Sequence, residues 1–378
     1  MPRTGPRGAG SFRRSTGRAA KASKVAERVV AAMSGGVDSS VAALLLREAG
    51  CEVVGVFLEN GVGRCARCCS LEDAADARTV ARRLGIPFHA LDCGEDFARL
   101  ADFFVESYCR GTTPSPCVLC NEWIKFGKLA EFAREIGASA IATGHYARLE
   151  RLASGRRALR RGVDRAKDQS YFLGTLTQDR LAGARLPLGS LRKEEVRTIA
   201  RRAGLEVAEK PESMEICFVP GDDYRRLIEE RRPGSLRPGE LADETGRVIG
   251  RHPGFQCFTV GQRSGLGIAL GYPAYVTAID PEANRVIVGP RASLARSQLT
   301  AEHITWVSRE PPRPEEPFRC LAQVRSRHTA APATAWLRDD GRLLVRFDRP
   351  VEAIAPGQAC VLYDGDLVLA GGWISRDR

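Results

Sequence analysis

The sequence predicts an α/β fold, a parallel-sheet nucleotide domain followed by two small β-rich domains. Three observations carry that expectation. Residues 34–40 read Ser-Gly-Gly-Val-Asp-Ser-Ser, between an apolar run at 29–33 and a helix-like segment at 41–46. Strand-length and helix-length patterns alternate from Arg28 to about Leu91, and further helices and a buried strand at 140–143 follow, as repeated β-α units around a parallel sheet require. Beyond Cys217, Gly, Pro and Arg become frequent and apolar runs shorten to strand length, which reads as β-rich structure.

The elements follow in order. Residues 29–33 form the first strand, and the helix after Gly35-Gly36 stops at Gly50. Residues 53–57 form a second strand. Ser70 with Asp73 three positions on resembles a capping box, opening a helix that ends near Gly85. Residues 87–91 are a third strand and 97–109 a helix. A helix beginning near Asn121 and clear over 123–136 is stopped by Gly137, and 140–143 is a further buried strand. The last clear helix spans 193–203, before Gly204. Strands are then expected at 274–277, 285–288, 304–307, 343–347 and 359–362. The division is a basic extension over 1–27, a catalytic domain over 28–221, a central domain over 222–292 and a C-terminal barrel-like domain over 293–378.

Composition narrows the class. The chain has 378 residues, 43% hydrophobic and 27% charged, a globular profile. No apolar run approaches the ~20 residues of a membrane span, and no secretory signal is evident, so a cytoplasmic protein is expected. The net charge is +11, and seven of the positive charges lie in residues 1–24, which hold no Asp or Glu. That tail reads as a solvated extension. Twelve cysteines, unevenly spaced, suit reduced thiols with metal or catalytic roles better than a disulfide scaffold.

The glycine loop is an anion site in the making. Strand, loop and helix N-terminus aim free backbone N–H groups and the positive end of the helix dipole at one spot. Ser34, Ser39 and Ser40 add hydroxyl donors. No lysine follows the glycines as a Walker A motif needs, so γ-phosphoryl transfer is not expected. The string resembles the PP-loop of the ATP pyrophosphatase superfamily, whose members cleave ATP between the α and β phosphates.

A second site lies at Thr113-Pro114-Ser115-Pro116-Cys117-Val118-Leu119-Cys120-Asn121. Two cysteines at CxxC spacing sit just ahead of a predicted helix. A helix N-terminus favours the thiolate, and the spacing also suits metal or iron–sulfur ligation. Cys217 stands alone in its segment. Cys65, Cys68 and Cys69 repeat the CxxC spacing without a second ligand pair. Lys167-Asp168-Gln169-Ser170-Tyr171-Phe172-Leu173 is either an RNA-contacting patch or an amphipathic helix start.

Together these segments resemble the tRNA-specific 2-thiouridylase family. The likeness runs from the PP-loop through Cys68-Cys69-Ser70, Ala142-Thr143-Gly144-His145-Tyr146-Ala147-Arg148 and Pro187-Leu188-Gly189 to Thr259-Val260-Gly261-Gln262-Arg263 and Pro356-Gly357-Gln358. It implies ATP-dependent 2-thiolation of the wobble uridine of tRNA, with magnesium accompanying ATP and a sulfurtransferase or cysteine desulfurase relay as sulfur donor. Ala32, Met33, Ser34, Gly35, Gly36, Val37, Asp38, Ser39, Leu58 and Gly144 would hold ATP, with Asp38 also catalytic. Cys120 matches the catalytic cysteine and Cys217 the persulfide carrier. Ser115, Pro116 and Cys117 fall where the target base is contacted. His145, Lys167, Asp168, Gln169, Arg325, Ser326 and Gln358 match tRNA-contacting positions. The family's commoner form has Asp where Cys117 stands. Three thiols, Cys117, Cys120 and Cys217, therefore leave two sulfur-transfer routes open, a cysteine persulfide with a transient disulfide or a shared 4Fe-4S iron–sulfur cluster. The rival readings are a PP-loop ligase acting on a small molecule and a non-catalytic RNA-binding or sulfur-carrier protein.

Overall fold

The computed structural model describes residues 1, 26–61, 71–212, 216–219, 221 and 223–376. The chain opens with β1 (Arg28–Ala32), α1 (Val37–Glu48), β2 (Glu52–Glu59), α2 (Leu71–Leu84), β3 (Phe88–Asp92) and α3 (Gly94–Cys109). Next comes α4 (Pro116–Cys120), which runs without a break through a π-helical stretch (Asn121–Lys128) into α5 (Leu129–Glu135). β4 (Ala140–Ala142), the hairpin β5 (Ala147–Arg151) and β6 (Arg157–Arg161), α6 (Gln178–Ala182), β7 (Ala184–Arg185) and α7 (Lys193–Arg202) complete the first part.

The sheet order is β3-β2-β1-β4-β7, all parallel. Both faces are covered. Val29, Ala31, Val53 and Phe57 enter one apolar cluster, while Val30, Val54 and Val56 enter the other. A strand buried on both faces reads as a continuous apolar run, which is why β1 was legible. The strand order reverses between β1 and β4, and the crevice outside their carboxyl ends is where such sheets bind ligands.

α8 (Tyr224–Arg231) leads into a four-stranded sheet of β8 (Gly239–Asp243), β9 (Val248–His252), β10 (Tyr275–Asp280) and β11 (Arg285–Gly289), in the order β10-β11-β8-β9. The last part holds β12 (Ala295–Trp306), β13 (Phe318–Gln323), β14 (Ala331–Leu337), β15 (Leu343–Glu352), β16 (Ala359–Asp364) and β17 (Leu367–Ile374). They run in the order β12-β15-β14-β13-β16-β17, and β12 pairs again with β17 to close a barrel.

Two features depart from the expected layout. The helix expected near Asn121 begins at Pro116, because Pro at the first helical position supplies a fitting φ and has no N–H to leave unbonded. The β5–β6 hairpin, from the catalytic half of the sequence, extends the barrel sheet through Leu367↔Arg160. Tyr171 and Leu173 share a core with Val361, Tyr363 and Val368 of the barrel wall. The proposed capping residue Ser70, the Cys65–Cys69 segment and the basic tail 2–25 lie outside the described residues. Among the described residues no helix is long and apolar enough to cross a membrane.

Candidate active site

The glycine loop joins β1 to α1 as the sequence indicates. Gly36 is the N-cap, in extended conformation, so the first N–H groups of α1 have no intrahelical acceptor and face the crevice. Gly35 has φ +72, and a Cβ there would lie 2.3 Å from the Asp73 carbonyl oxygen of α2. Only glycine fits that turn. The hydroxyls behave differently from expectation. Ser39 Oγ and Ser40 Oγ donate to the Gly36 carbonyl at 3.1 and 2.9 Å, and Ser39 Oγ accepts from Ser34 N–H at 3.1 Å. They brace the loop. Ser34, exposed and 3.2 Å from Ser39 at its own Oγ, is the hydroxyl that can turn to an incoming anion.

The other proposed nucleotide residues surround this loop. Ala32 ends β1, the Met33 and Val37 side chains are core, and Leu58 is half-buried at the carboxyl end of β2. Gly144 follows β4, and a Cβ there would meet the Asp38 carbonyl carbon and Ser39 N at 2.8 Å. The first turn of α1 can therefore pack directly on the segment after β4.

Asp38 is the hub. Lys193 Nζ donates to both of its oxygens at 2.8 Å, and Tyr146 Oη donates to Oδ1 at 2.7 Å. Lys193 also pairs with Glu212 Oε1 at 2.7 Å, and Lys167 Nζ donates to Glu212 Oε2 at 2.7 Å. Burial acts to raise the Glu212 carboxyl, but Lys167 and Lys193 outweigh it and hold it below its usual range. Burial, reinforced by the bond to Asp38, pushes the Tyr146 phenol up, so it stays a donor.

The expected tRNA-contact residues separate into two groups. Lys167 is half-buried with its ammonium near the surface, and Ser326 is exposed. Others are engaged inside the protein. Asp168 accepts from Arg161 at 2.8 Å, Gly162 N–H at 3.0 Å, and Ser170 N–H and Oγ at 3.1 and 3.0 Å. Gln169 bridges to Tyr146, its Oε1 accepting from Tyr146 N–H at 3.0 Å. His145 is 8% exposed and bonded to Thr143 Oγ1 through Nδ1 at 2.7 Å. Burial, aided by Lys125, keeps its ring well below the ordinary histidine range, hence neutral. Arg325 donates to the Glu352 carbonyl at 2.8 Å. Gln358 Nε2 donates to the Thr113 and Pro114 carbonyls, both at 3.0 Å, so a barrel residue fixes the approach to the cysteine helix.

In that helix Ser115 is the N-cap, Ser115 and Pro116 are buried, and Cys117 is exposed in the first turn. Cys120 lies at the end of α4, so of the two cysteines only Cys117 stands at the helix N-terminus. Burial raises the Cys120 thiol against the opposing pull of Lys125. Cys120 belongs to an apolar cluster against which Leu58 and Cys217 pack.

The three-thiolate reading gains no support from the structure. Among the described residues no group of three or more His, Cys, Asp or Glu side chains stands close enough to hold a metal ion. An iron–sulfur cluster takes several thiolates at once, and Cys117, Cys120 and Cys217 are not gathered into such a set. Magnesium takes one or two carboxylates and otherwise phosphate oxygens, which Asp38 with a nucleotide fits.

Tyr146, Lys193 and Glu212 are the site residues the sequence did not single out. Tyr146 sits in the motif after β4 and was within reach. Lys193 and Glu212 are far from Asp38 in sequence, and no spacing rule joins them.

Comparison with known proteins adds a family context. The chain matches the families described as tRNA methyl transferase HUP domain over residues 27–221, tRNA methyl transferase PRC-barrel domain over 225–290 and aminomethyltransferase beta-barrel domain over 296–374. It is 50% identical to the tRNA-specific 2-thiouridylase MnmA of Geotalea uraniireducens, covering 93% of this chain and 95% of that one. It is 48% identical to the Roseiflexus sp. protein of the same name, covering 93% and 100%. Among solved structures it is similar to the U34-tRNA thiolase NcsA of Methanococcus maripaludis, at 18% identity and TM-score 0.35, over 55% of this chain and 67% of that one. A likeness that low carries no argument.

Proposed function

The chain belongs to the tRNA-specific 2-thiouridylase family, and from that premise we propose how its residues divide the ATP-dependent 2-thiolation of the wobble uridine of tRNA. The β1–α1 loop holds ATP, with the N–H groups of α1 and the helix dipole on its phosphates. The uridine C2 oxygen attacks the α phosphorus, pyrophosphate leaves, and the oxygen becomes part of an AMP ester. Preorganised N–H donors stabilise the charge that develops on the departing pyrophosphate. Asp38, together with the phosphates, would hold a magnesium ion, which would supply charge neutralisation there.

Sulfur transfer follows. Cys217 carries a persulfide delivered by a sulfurtransferase or cysteine desulfurase relay. The terminal sulfur attacks C2 and AMP leaves with the former C2 oxygen. The new sulfur then links C2 to Cys217 Sγ. Cys120 thiolate attacks Cys217 Sγ, releasing 2-thiouridine and leaving a Cys120–Cys217 disulfide that a thiol reductant reopens. The burial that raises the Cys120 thiol keeps it protonated until the site rearranges around tRNA, with Lys125 favouring the thiolate. No step is assigned to an iron–sulfur cluster.

The observation that carries this reading is convergence at the carboxyl edge of one sheet. The glycine loop follows β1, Gly144 follows β4, and Leu58 of β2 contacts the cluster that contains Cys120. The base is read in a single-stranded anticodon loop, where unstacking it costs less than in a duplex. The test is a single turnover with unmodified tRNA, magnesium-ATP and a persulfide donor. Pyrophosphate and 2-thiouridine are expected in equal amounts, both dependent on tRNA. ATP cleavage without tRNA, or with a small metabolite in its place, overturns the reading in favour of a small-molecule ligase.

A further inference from the structure

The segment Lys167-Asp168-Gln169 is joined to the nucleotide loop by two routes that end on the same carboxylate. One is a chain of alternating charge. Lys167 pairs with Glu212, Glu212 with Lys193, and Lys193 with Asp38, at 2.7, 2.7 and 2.8 Å. The other runs through Tyr146, whose backbone N–H bonds Gln169 and whose hydroxyl bonds Asp38, at 3.0 and 2.7 Å. The start of α7 is tied to the same loop, since Lys193 N–H donates to Asp164 Oδ2 at 2.9 Å.

Resting on the functional reading above, we propose that Lys193 is a positioning residue that couples tRNA engagement at Lys167 to nucleotide engagement at Asp38 through Glu212. The ammonium has three N–H groups, and Asp38 and Glu212 compete for them. The Lys193 side chain is only 10% exposed, so water is a poor substitute partner. Lys167 lies at the open end of the chain. A tRNA phosphate that takes Lys167 leaves Glu212 with one cation. Glu212 then draws Lys193 toward itself and away from Asp38. Asp38 is released for the nucleotide and its metal at the moment the RNA is in place. By linkage the reverse holds, and a nucleotide that engages Asp38 strengthens tRNA binding by the same factor. The device would restrain ATP cleavage when no tRNA is bound.

The test is binding, independent of turnover. The dissociation constant of a non-cleavable α,β-methylene ATP analogue with magnesium is measured with and without unmodified tRNA. In the wild type, tRNA tightens analogue binding by at least about 5-fold, the lower end of ordinary coupling. Glu212→Gln keeps the shape but removes the charge. It should bring that ratio to within about twofold of unity, with analogue affinity without tRNA below wild type because Lys193 then stays on Asp38. Lys167→Gln, at the surface end, should also abolish the coupling and decides the matter should Glu212→Gln fold poorly. A wild type with no coupling, or either variant with wild-type coupling, overturns the proposal. A wild type that forms thiouridine yet shows no coupling defeats this inference alone. One that forms no thiouridine defeats the functional reading.

Discussion

Lys193 Nζ bonds both carboxylate oxygens of Asp38 at 2.8 Å, joining the N-terminus of α7 to the first turn of α1. Removing one partner of a buried pair leaves the other uncompensated, at roughly 3–5 kcal/mol in full burial. The Asp38 side chain is 30% exposed and the Lys193 side chain 10%, so the cost here is about 1–3 kcal/mol after solvent screening. Lys193→Met is therefore expected to lower the unfolding free energy by that amount and, with Asp38 no longer held, to raise pyrophosphate release in the absence of tRNA. Chemical denaturation checks the first, and an unchanged midpoint would show that the pair contributes nothing.

Gly144→Ala tests the close approach of two backbones. Its Cβ would press on Asp38 and Ser39 backbone atoms at 2.8 Å, and a packed backbone can yield only by shifting the loop. Overpacking of this kind costs about 1–3 kcal/mol. The loss should appear as weakened ATP-analogue affinity as well as lowered stability, because the displaced turn is the phosphate site. Isothermal titration with the analogue would contradict this if affinity were unaltered.

Gln358 separates an RNA contact from a structural clamp. Its amide bonds the Thr113 and Pro114 carbonyls ahead of Cys117. Losing both bonds costs about 1–2 kcal/mol. Gln358→Ala should slow the sulfur-transfer step while tRNA affinity and its salt dependence stay within about twofold, since no phosphate contact is lost. A changed salt slope would return Gln358 to the RNA-binding surface.

The first domain and its loop were legible because local chemistry and tertiary role agree there. Val29, Val30 and Ala31 are buried on two faces, and the positive φ of Gly35 is a turn that glycine takes without strain. The cysteine helix begins earlier than expected, because Pro116 with its fixed φ is the first helical residue. The β5–β6 hairpin was missed because its Arg-rich strands, such as Arg157–Arg161, lack an apolar run. They are held by a neighbouring barrel strand distant in sequence. The same holds for the site. Asp38 was singled out by its loop, but Lys193 and Glu212 reach it from parts of the chain that no motif connects.

The state of His145 predicts an acid sensitivity. Its ring is held neutral, well below the ordinary value of 6.5, by burial and by Lys125. As pH falls below about 6.5 the unfolded chain takes up a proton that the native state refuses, so stability declines with falling pH. One such group contributes a slope of at most about 1.4 kcal/mol per pH unit. Above neutrality the effect is absent. Unfolding free energies of wild type and His145→Asn between pH 7 and pH 5 should diverge in slope by about that amount. Parallel curves would mean that His145 titrates normally.

The most direct test of the account follows the uridine C2 oxygen. A tRNA carrying heavy oxygen at C2 of its wobble uridine is taken through one turnover with magnesium-ATP and a persulfide donor, and the products are analysed by mass spectrometry. Adenylation of C2 followed by sulfur attack on carbon predicts that the label leaves in AMP, one atom for each 2-thiouridine formed. Label found in water or in pyrophosphate, with AMP unlabelled, would contradict it.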